Sequence, residues 1–151
     1  MISEFIVVNK LKARLIPFED DVGSSFQAAK LVQAPLSRIV KSLVFLDETR
    51  EPVVLLLRGS DQADMEKVKT LLGIKQLKLA NPKQVLEITG YEIGGVPPIS
   101  IFGIKTICDE KVMQESSVFS GGGNSKTLLE ISPGEIKEYV DDFVVADITV
   151  N

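Results

Sequence analysis

Two glycine-rich segments in the second half of the chain contain the residues best suited to chemistry. Residues 94–98 read Gly-Gly-Val-Pro-Pro, and residues 120–124 read Ser-Gly-Gly-Gly-Asn. A backbone without Cβ atoms can approach a ligand closely, and its N–H groups can point at a developing oxyanion. The two prolines stiffen the first segment and donate no hydrogen bonds. We therefore expect a site built mainly from main-chain groups.

Lys41 adds a cation to this pattern, because it lies within an otherwise apolar stretch at residues 39–46. Strand alternation would put its side chain on the same face as Ile39 and Leu43. One interpretation is a strand-edge lysine whose ammonium reaches water, which is the more frequent situation for lysine. The other is a cation that anchors a phosphate or a carbonyl group in a cleft. The spacing alone leaves both interpretations open.

The composition restricts the catalytic chemistry. The 151 residues include no histidine and a single cysteine, Cys108. The absence of histidine excludes Ser-His-Asp and Cys-His machinery, and one cysteine with carboxylates makes a poor zinc site. We therefore expect no metal and no cofactor, with proton transfer left to Lys, Asp, Glu, Tyr, water or the substrate. Burial as a small apolar residue is the expected role of Cys108.

Charge and hydropathy bear on partners and location. The formal net charge is −4 and the pI is about 4.9, which argues against broad non-specific binding to nucleic acid. A few basic groups could still bind the end of one nucleic-acid strand. No apolar run is long enough to span a bilayer, and the first residues do not resemble a secretory signal. The lone cysteine fits a reducing compartment, so we expect a cytoplasmic protein without membrane association.

Residues 120–127 resemble a phosphate-binding loop only superficially. That loop requires glycine at the positions of Ser120 and Ser125, before Lys126 and Thr127. A helix should follow it, whereas residues 127–131 have the pattern of a strand. A nucleotide-binding protein is therefore disfavoured. A flexible hairpin loop and a ligand loop remain as local alternatives, and a rigid connection is the corresponding alternative for residues 94–98.

Switches between the two hydrophobic periods predict a chain of mixed helices and strands. Helix starts are expected at four capping positions: Ser24 or Ser25, Asp61, Asn81 and Ser132. Strands are expected at residues 13–18, 39–46, 53–57, 77–79, 102–108, 117–120, 127–131 and 143–148. The first helix would bury Phe26, Ala29 and Val32, and no helix is expected at residues 1–5. The order predicts one α+β domain, residues 1–151, with a mixed, largely antiparallel sheet or a partly closed barrel flanked by helices.

Three segments, in this order, resemble the YbaK and prolyl-tRNA-synthetase editing-domain family. They are residues 39–44 (Ile-Val-Lys-Ser-Leu-Val), residues 90–98 (Gly-Tyr-Glu-Ile-Gly-Gly-Val-Pro-Pro) and residues 118–123 (Val-Phe-Ser-Gly-Gly-Gly). The resemblance extends from Ala13 to Tyr139. It implies an aminoacyl-tRNA deacylase, which removes a wrongly attached small amino acid from tRNA, most often the tRNA for proline.

The resemblance also implies the site residues. Lys41 matches the essential lysine of the family, Gly94 and Pro98 match its Gly-x-x-x-Pro loop, and Ser120 with Gly121 matches the start of its second loop. We therefore predict a catalytic set and a substrate-binding set. The catalytic set is Lys41, Gly94, Gly95 and Ser120. The substrate-binding set is Phe18, Ser42, Val96, Pro98, Gly121 and Gly122.

Two functions follow from these residues and the resemblance. The first is a trans-editing deacylase that hydrolyses mischarged tRNA without a metal, using backbone oxyanion stabilisation and a positioning lysine. Prolyl-tRNA synthetase is a second candidate partner of such an enzyme. The alternative is a non-catalytic module that binds the aminoacyl-tRNA end, or docks on a synthetase, without turnover. Only the enzyme would release amino acid at catalytic protein levels.

Overall fold

The computed structural model describes residues 1–151 and contains five helices and eight strands. The helices are α1 Ile2–Val8, α2 Ser25–Val32, α3 Met65–Leu72, α4 Pro82–Thr89 and α5 Pro133–Tyr139. The strands are β1 Arg14–Pro17, β2 Val40–Asp47, β3 Pro52–Arg58, β4 Leu77–Leu79, β5 Lys105–Asp109, β6 Val118–Gly121, β7 Thr127–Ile131 and β8 Phe143–Ala146. The predicted strands are therefore present, with ends that differ by a few residues.

The strands form two sheets. The larger has the order β4-β2-β3-β5-β8, in which β3 and β5, and β5 and β8, run parallel and the other pairs are antiparallel. The smaller is the antiparallel sheet β1-β7-β6. One bridge, between Ile39 and Phe119, connects the two sheets. The α+β, largely antiparallel prediction is confirmed, and the sheets do not close into a barrel.

The strand β3 lies at the centre of the larger sheet and is covered on both faces. Val54 and Leu56 belong to the main apolar cluster, whereas Val53, Leu55 and Leu57 belong to a second cluster on the opposite face. All five are almost fully buried. A strand covered on both sides is apolar without interruption, as residues 53–57 are. This rigid centre supports β2, the strand that carries Lys41.

The N-terminal helix α1 contradicts the expectation of no helix at residues 1–5. It is only seven residues long, and no side chain caps its start. Its stability comes from packing: Ile2 is buried, and the Phe5 ring lies 5.9 Å from Phe102 and 6.1 Å from Tyr139. Local pattern misses such a helix because distant contacts supply its stability.

The buried face of α2 agrees with the prediction at Ala29 and Val32, which belong to or pack against one apolar cluster, but differs at Phe26. Ala28 and Ala29 are buried, whereas Phe26 is 70% exposed. The two alanines pack in a cluster with Ile39 and Phe119. Small side chains let the helix lie close to the sheets, which leaves no room beneath it for a phenylalanine ring. The prediction that Phe26 points inward is therefore wrong.

The start of α3 also differs from the prediction. Its cap is Asp64, whose carboxylate accepts from the N–H groups of Glu66 and Lys67. Asp61, the predicted cap, instead pairs with Arg58. The Ser24, Asn81 and Ser132 caps are confirmed, since each accepts a hydrogen bond from the first turn of its helix. An aspartate in the loop thus has a role other than capping.

Candidate active site

The two glycine-rich segments pack directly against each other through their backbones. The N–H of Gly123 donates to the carbonyl of Gly95 at 2.8 Å. A Cβ at position 95 would lie 2.6 Å from the Cα of Asn124, and one at position 121 would overlap the carbonyl oxygen of Val96. Glycine is therefore required at both positions for this approach. The two segments form one rigid unit.

A cavity of about 200 Å³ opens beside this unit. Its walls come from β2, the start of α2 and the residues before it, the end of β4, α4 and the loop after it, the end of β6, and β7. Six predicted site residues lie in the wall: Lys41, Ser42, Gly94, Val96, Ser120 and Gly121. Most of the remaining wall is apolar, including Val40, Val44, Val85 and Leu128. The cavity therefore offers an apolar chamber with few polar groups.

Two buried hydroxyl groups in the wall have no hydrogen-bond partner in the protein. They are the Oγ atoms of Ser42 on β2 and Ser120 on β6. A buried polar group without a partner costs stability of about 1–3 kcal/mol, so a protein rarely keeps one without a use. Both serines can donate and accept. Both Oγ atoms are therefore unpaired and shielded from solvent, in residues that contribute to the cavity wall.

Two main-chain N–H groups of the first glycine-rich segment are also free. The N–H of Gly95 donates to the carbonyl of Glu92 at 3.0 Å, whereas those of Gly94 and Val96 have no acceptor within the chain. Gly94 adopts φ +87°, a conformation that favours glycine. Both free donors belong to residues of the cavity wall. These two N–H groups, unlike that of Gly95, are therefore not used within the protein.

Lys41 lies in the wall, and its ammonium is held on one side. Its Nζ donates to the carbonyl of Asp61 at 2.7 Å. Gly59, two residues before Asp61, packs against Ser25 of the cavity wall, whereas Asp61 itself is not part of the wall. Partial burial lowers the pKa of Lys41, and the Asp61 carboxylate opposes that shift. An ammonium has three N–H donors, so two remain free for a ligand.

Four predicted site residues do not belong to the cavity wall. Gly95 and Gly122 are buried in the loop packing, where the N–H of Gly122 donates to the carbonyl of Thr127 at 3.0 Å. Pro98, the last residue of the first segment, is buried. Phe18 packs against the apolar cluster that backs the wall.

Cys108 offers no reactive group. It is fully buried in β5, and burial raises the pKa of its thiol to about 12. The thiol therefore stays protonated and is unsuited to act as a nucleophile. Burial as a small apolar residue, the role predicted for it, is what the structure has. No group of three His, Cys, Asp or Glu side chains is placed to hold a metal ion.

Comparison with known proteins assigns the chain to a family. The sequence model of the aminoacyl-tRNA editing domain matches residues 19–139. The chain belongs to this family. The match includes every residue of the catalytic set and all of the substrate-binding set except Phe18.

Known relatives of this editing domain include both separate proteins and parts of synthetases. The uncharacterized protein YwhH of Bacillus subtilis is 32% identical over 135 residues, which cover 87% of this chain and 83% of YwhH. The proline–tRNA ligase of Endomicrobium trichonymphae is 28% identical over 150 residues, covering 97% of this chain. The editing domain spans only 26% of that ligase.

Solved structures share the fold of the editing domain. The crystal structure of the hypothetical protein APE2540 superposes with a TM-score of 0.90 at 33% identity and covers 99% of both chains. A candidate trans-editing enzyme for prolyl tRNA synthetase superposes with a TM-score of 0.82 at 30% identity, covering 92% of this chain and 87% of that chain. None of the helices of this editing domain has the length and apolar character needed to cross a membrane.

Several residues of the cavity wall in this editing domain are not among the predicted site residues. Gly23 lies in the wall directly against Gly94, since a Cβ on Gly94 would lie 3.4 Å from the Cα of Gly23. Leu79 and Ile93 line the cavity and are both more than half exposed, which makes them its apolar rim. The sequence holds a signal for Gly23, a glycine directly before a serine cap, but none for the two rim residues.

Proposed function

We propose that this editing domain is a trans-acting deacylase, which hydrolyses the ester between a small amino acid and the 3′ end of a mischarged tRNA. The observation that carries the proposal is the pair of free N–H groups of Gly94 and Val96 in the wall of a small, mostly apolar cavity. The tRNA for proline is the first candidate substrate, because relatives include proline–tRNA ligases and a candidate trans-editing enzyme for prolyl tRNA synthetase.

The proposed reaction needs an attacking water and a stabilised carbonyl oxygen. Water adds to the ester carbonyl carbon, and the N–H groups of Gly94 and Val96 receive the negative charge on its oxygen. One donor of this kind contributes about 3 kcal/mol. The bond to the ribose oxygen then breaks, and the proton from water ends on that oxygen. With no histidine in the chain, the neighbouring ribose hydroxyl is proposed as the base.

Lys41 is proposed to hold the terminal adenosine against the loops. The carbonyl of Asp61 occupies one of its N–H groups, and the remaining two are directed to a phosphate or to ribose hydroxyls. The exposed rim residues Leu79 and Ile93 would contact the base. Binding the strand end fixes the ester relative to the oxyanion donors, which is the main contribution of positioning to rate.

A panel of tRNAs tests the proposed function. The tRNA for proline is charged separately with alanine, serine, cysteine and proline, and amino-acid release is followed with substrate in large excess, with and without a chelator. We expect several turnovers for at least one small amino acid and no effect of the chelator. Binding without turnover for every substrate would instead support the non-catalytic module. One additional methylene changes discrimination by about 1–3 kcal/mol, so neighbouring substrates should differ in rate.

Substitution of Ser120 by alanine separates function from stability. The hydroxyl makes no hydrogen bond in the protein, so Ser120→Ala should leave the thermal unfolding midpoint unchanged or raise it slightly. Deacylation should fall about tenfold, since one hydrogen bond to the substrate contributes about 1.4 kcal/mol. Ser116→Ala on the exposed surface is the matched control and should alter neither quantity. A lower midpoint with unchanged deacylation would contradict a ligand-binding role for Ser120.

A further inference from the structure

A cluster of charged side chains surrounds the carbonyl that holds Lys41, and the reaction proposed above gives the cluster no role. The carbonyl of Asp61 accepts from the Lys41 ammonium at 2.7 Å. The carboxylate of Asp61 points to other partners: Arg58 Nε lies 2.7 Å from Oδ2, and Arg58 Nη2 lies 3.2 Å from Oδ1. Lys111 Nζ lies 3.8 Å from Oδ2. One aspartate therefore connects three cations.

The Arg58–Asp61 pair fixes the turn that presents the carbonyl. Its two parallel contacts have the fork geometry of a bidentate pair, and the two side chains are 24% and 13% exposed. The N–H of Asp61 also donates to the carbonyl of Arg58 at 3.0 Å. Because both the backbone and the side chain of Asp61 return to Arg58 at the end of β3, the turn cannot rotate freely. Its carbonyl is held in one direction.

Lys111, the third cation of the cluster, is held by hydrogen bonds to residues near the ends of β5 and of the chain. The Lys111 ammonium donates to the hydroxyl of Thr149 at 2.6 Å. The Lys111 N–H donates to Asp109 at 3.2 Å, and Asp109 is completely buried at the end of β5. The third cation therefore has a fixed position next to Asp61. The turn is thus braced from both β3 and β5.

The charges explain why the ammonium remains at this position. The hydrogen bond from Arg58 holds the pKa of Asp61 below its ordinary value, so its carboxylate is charged at neutral pH. That carboxylate favours the protonated form of Lys41 and opposes the lowering of its pKa by burial. Arg58 and Lys111 also act on this carboxylate, and the carboxylates of Asp109 and Glu115 act on Arg58. Asp61 therefore supplies both a contact and a compensating charge.

We infer that Asp61 is a positioning residue for Lys41: its carbonyl fixes the position of the ammonium, and its carboxylate, clamped by Arg58, holds that carbonyl. The inference rests on the proposed function only for what the ammonium does to a substrate. The placement and charge of the ammonium are properties of the free protein. They can therefore be tested without any tRNA.

The test is the titration of the Lys41 ammonium in Asp61→Asn. The Nζ resonance is followed by NMR in lysine-labelled protein across neutral and alkaline pH, and it is assigned by its loss in Lys41→Ala. We expect the pKa of Lys41 to be lower in Asp61→Asn than in the unchanged protein. The matched control is Asp142→Asn, which removes the exposed partner of Lys105 and should leave the pKa of Lys41 unchanged. An unchanged pKa in Asp61→Asn would overturn the inference.

Deacylation supplies the second readout. Asp61→Asn should lower kcat/KM about tenfold, since small displacements of a positioning group cost up to about 100-fold. The high-pH limb of its pH–rate profile should move to lower pH together with the Lys41 titration. Arg58→Gln should show the rate loss, and Arg58→Lys should recover part of it. If the unchanged protein deacylates no tRNA, the proposed function fails, and the NMR titration still decides the role of Asp61.

Discussion

Substitution of Lys41 by alanine is expected to lower deacylation of a mischarged tRNA by about 100-fold, the scale of losing a positioned group at the reacting centre. The oxyanion donors of Gly94 and Val96 belong to the backbone and would remain. The loss should therefore appear in kcat/KM without reaching the uncatalysed rate. Multiple-turnover release of the amino acid is the measurement.

The same substitution should leave the fold intact. Lys41 makes a single hydrogen bond, to the carbonyl of Asp61, and its ammonium is partly desolvated. Removal of a partly buried charge compensates for the lost contact, so we expect the thermal midpoint to change little. Lys105→Ala, which removes an exposed lysine of a surface ion pair, is the control. Full activity in Lys41→Ala would exclude the proposed role of the lysine.

Much of the framework could be predicted because it depends on local pattern. Residues 53–57 are apolar without interruption and form a central strand, and asparagine before proline at 81–82 starts a helix with a complete capping box. The two glycine-rich segments were recognisable because few other residues tolerate such close backbone contact. These features need only a few neighbouring residues to specify them.

The hydrogen bonds of the site could not be predicted in this way. The sequence makes Gly94, Gly95 and Val96 equivalent as N–H donors, but the turn closed by Glu92 uses the donor of Gly95. Lys41 is similar: its partner is a main-chain carbonyl twenty positions along the chain. Every residue has a main-chain carbonyl, so residue types do not indicate which carbonyl accepts a given hydrogen bond. Which donors remain free is decided by tertiary structure.

The same reasoning explains the incorrect assignment of Asp61. An aspartate shortly before an apolar periodic segment has the pattern of a helix cap, and both Asp61 and Asp64 satisfy it. The helix starts after the second. Arg58, three residues before Asp61, offers a bidentate partner, and this pairing is possible only once β3 ends where it does. The misassigned aspartate is the one that contacts Lys41.

Substitution of Gly121 by alanine should have the largest effect on the structure of the site. The added Cβ would overlap the carbonyl oxygen of Val96 and lie 2.9 Å from the carbonyl carbon of Gly95. The obstructing atoms are backbone, which cannot move aside as a flexible side chain would. We expect destabilisation of about 2–3 kcal/mol, in the range of overpacked cores, measured as a fall in thermal midpoint of roughly 5–10 °C.

Deacylation by Gly121→Ala should fall by more than about 100-fold at a temperature where the protein is folded, because the Gly95–Val96 peptide must shift and the Val96 N–H moves with it. Gly134→Ala is the matched control. A Cβ there would meet nothing closer than Ser132 Oγ at 3.9 Å, and the position lies within α5, where alanine is favoured over glycine by about 0.5–1 kcal/mol. Its midpoint should be unchanged or higher and its activity normal. Full activity in Gly121→Ala would mean that the contact between the two glycine-rich segments does not position the oxyanion donors.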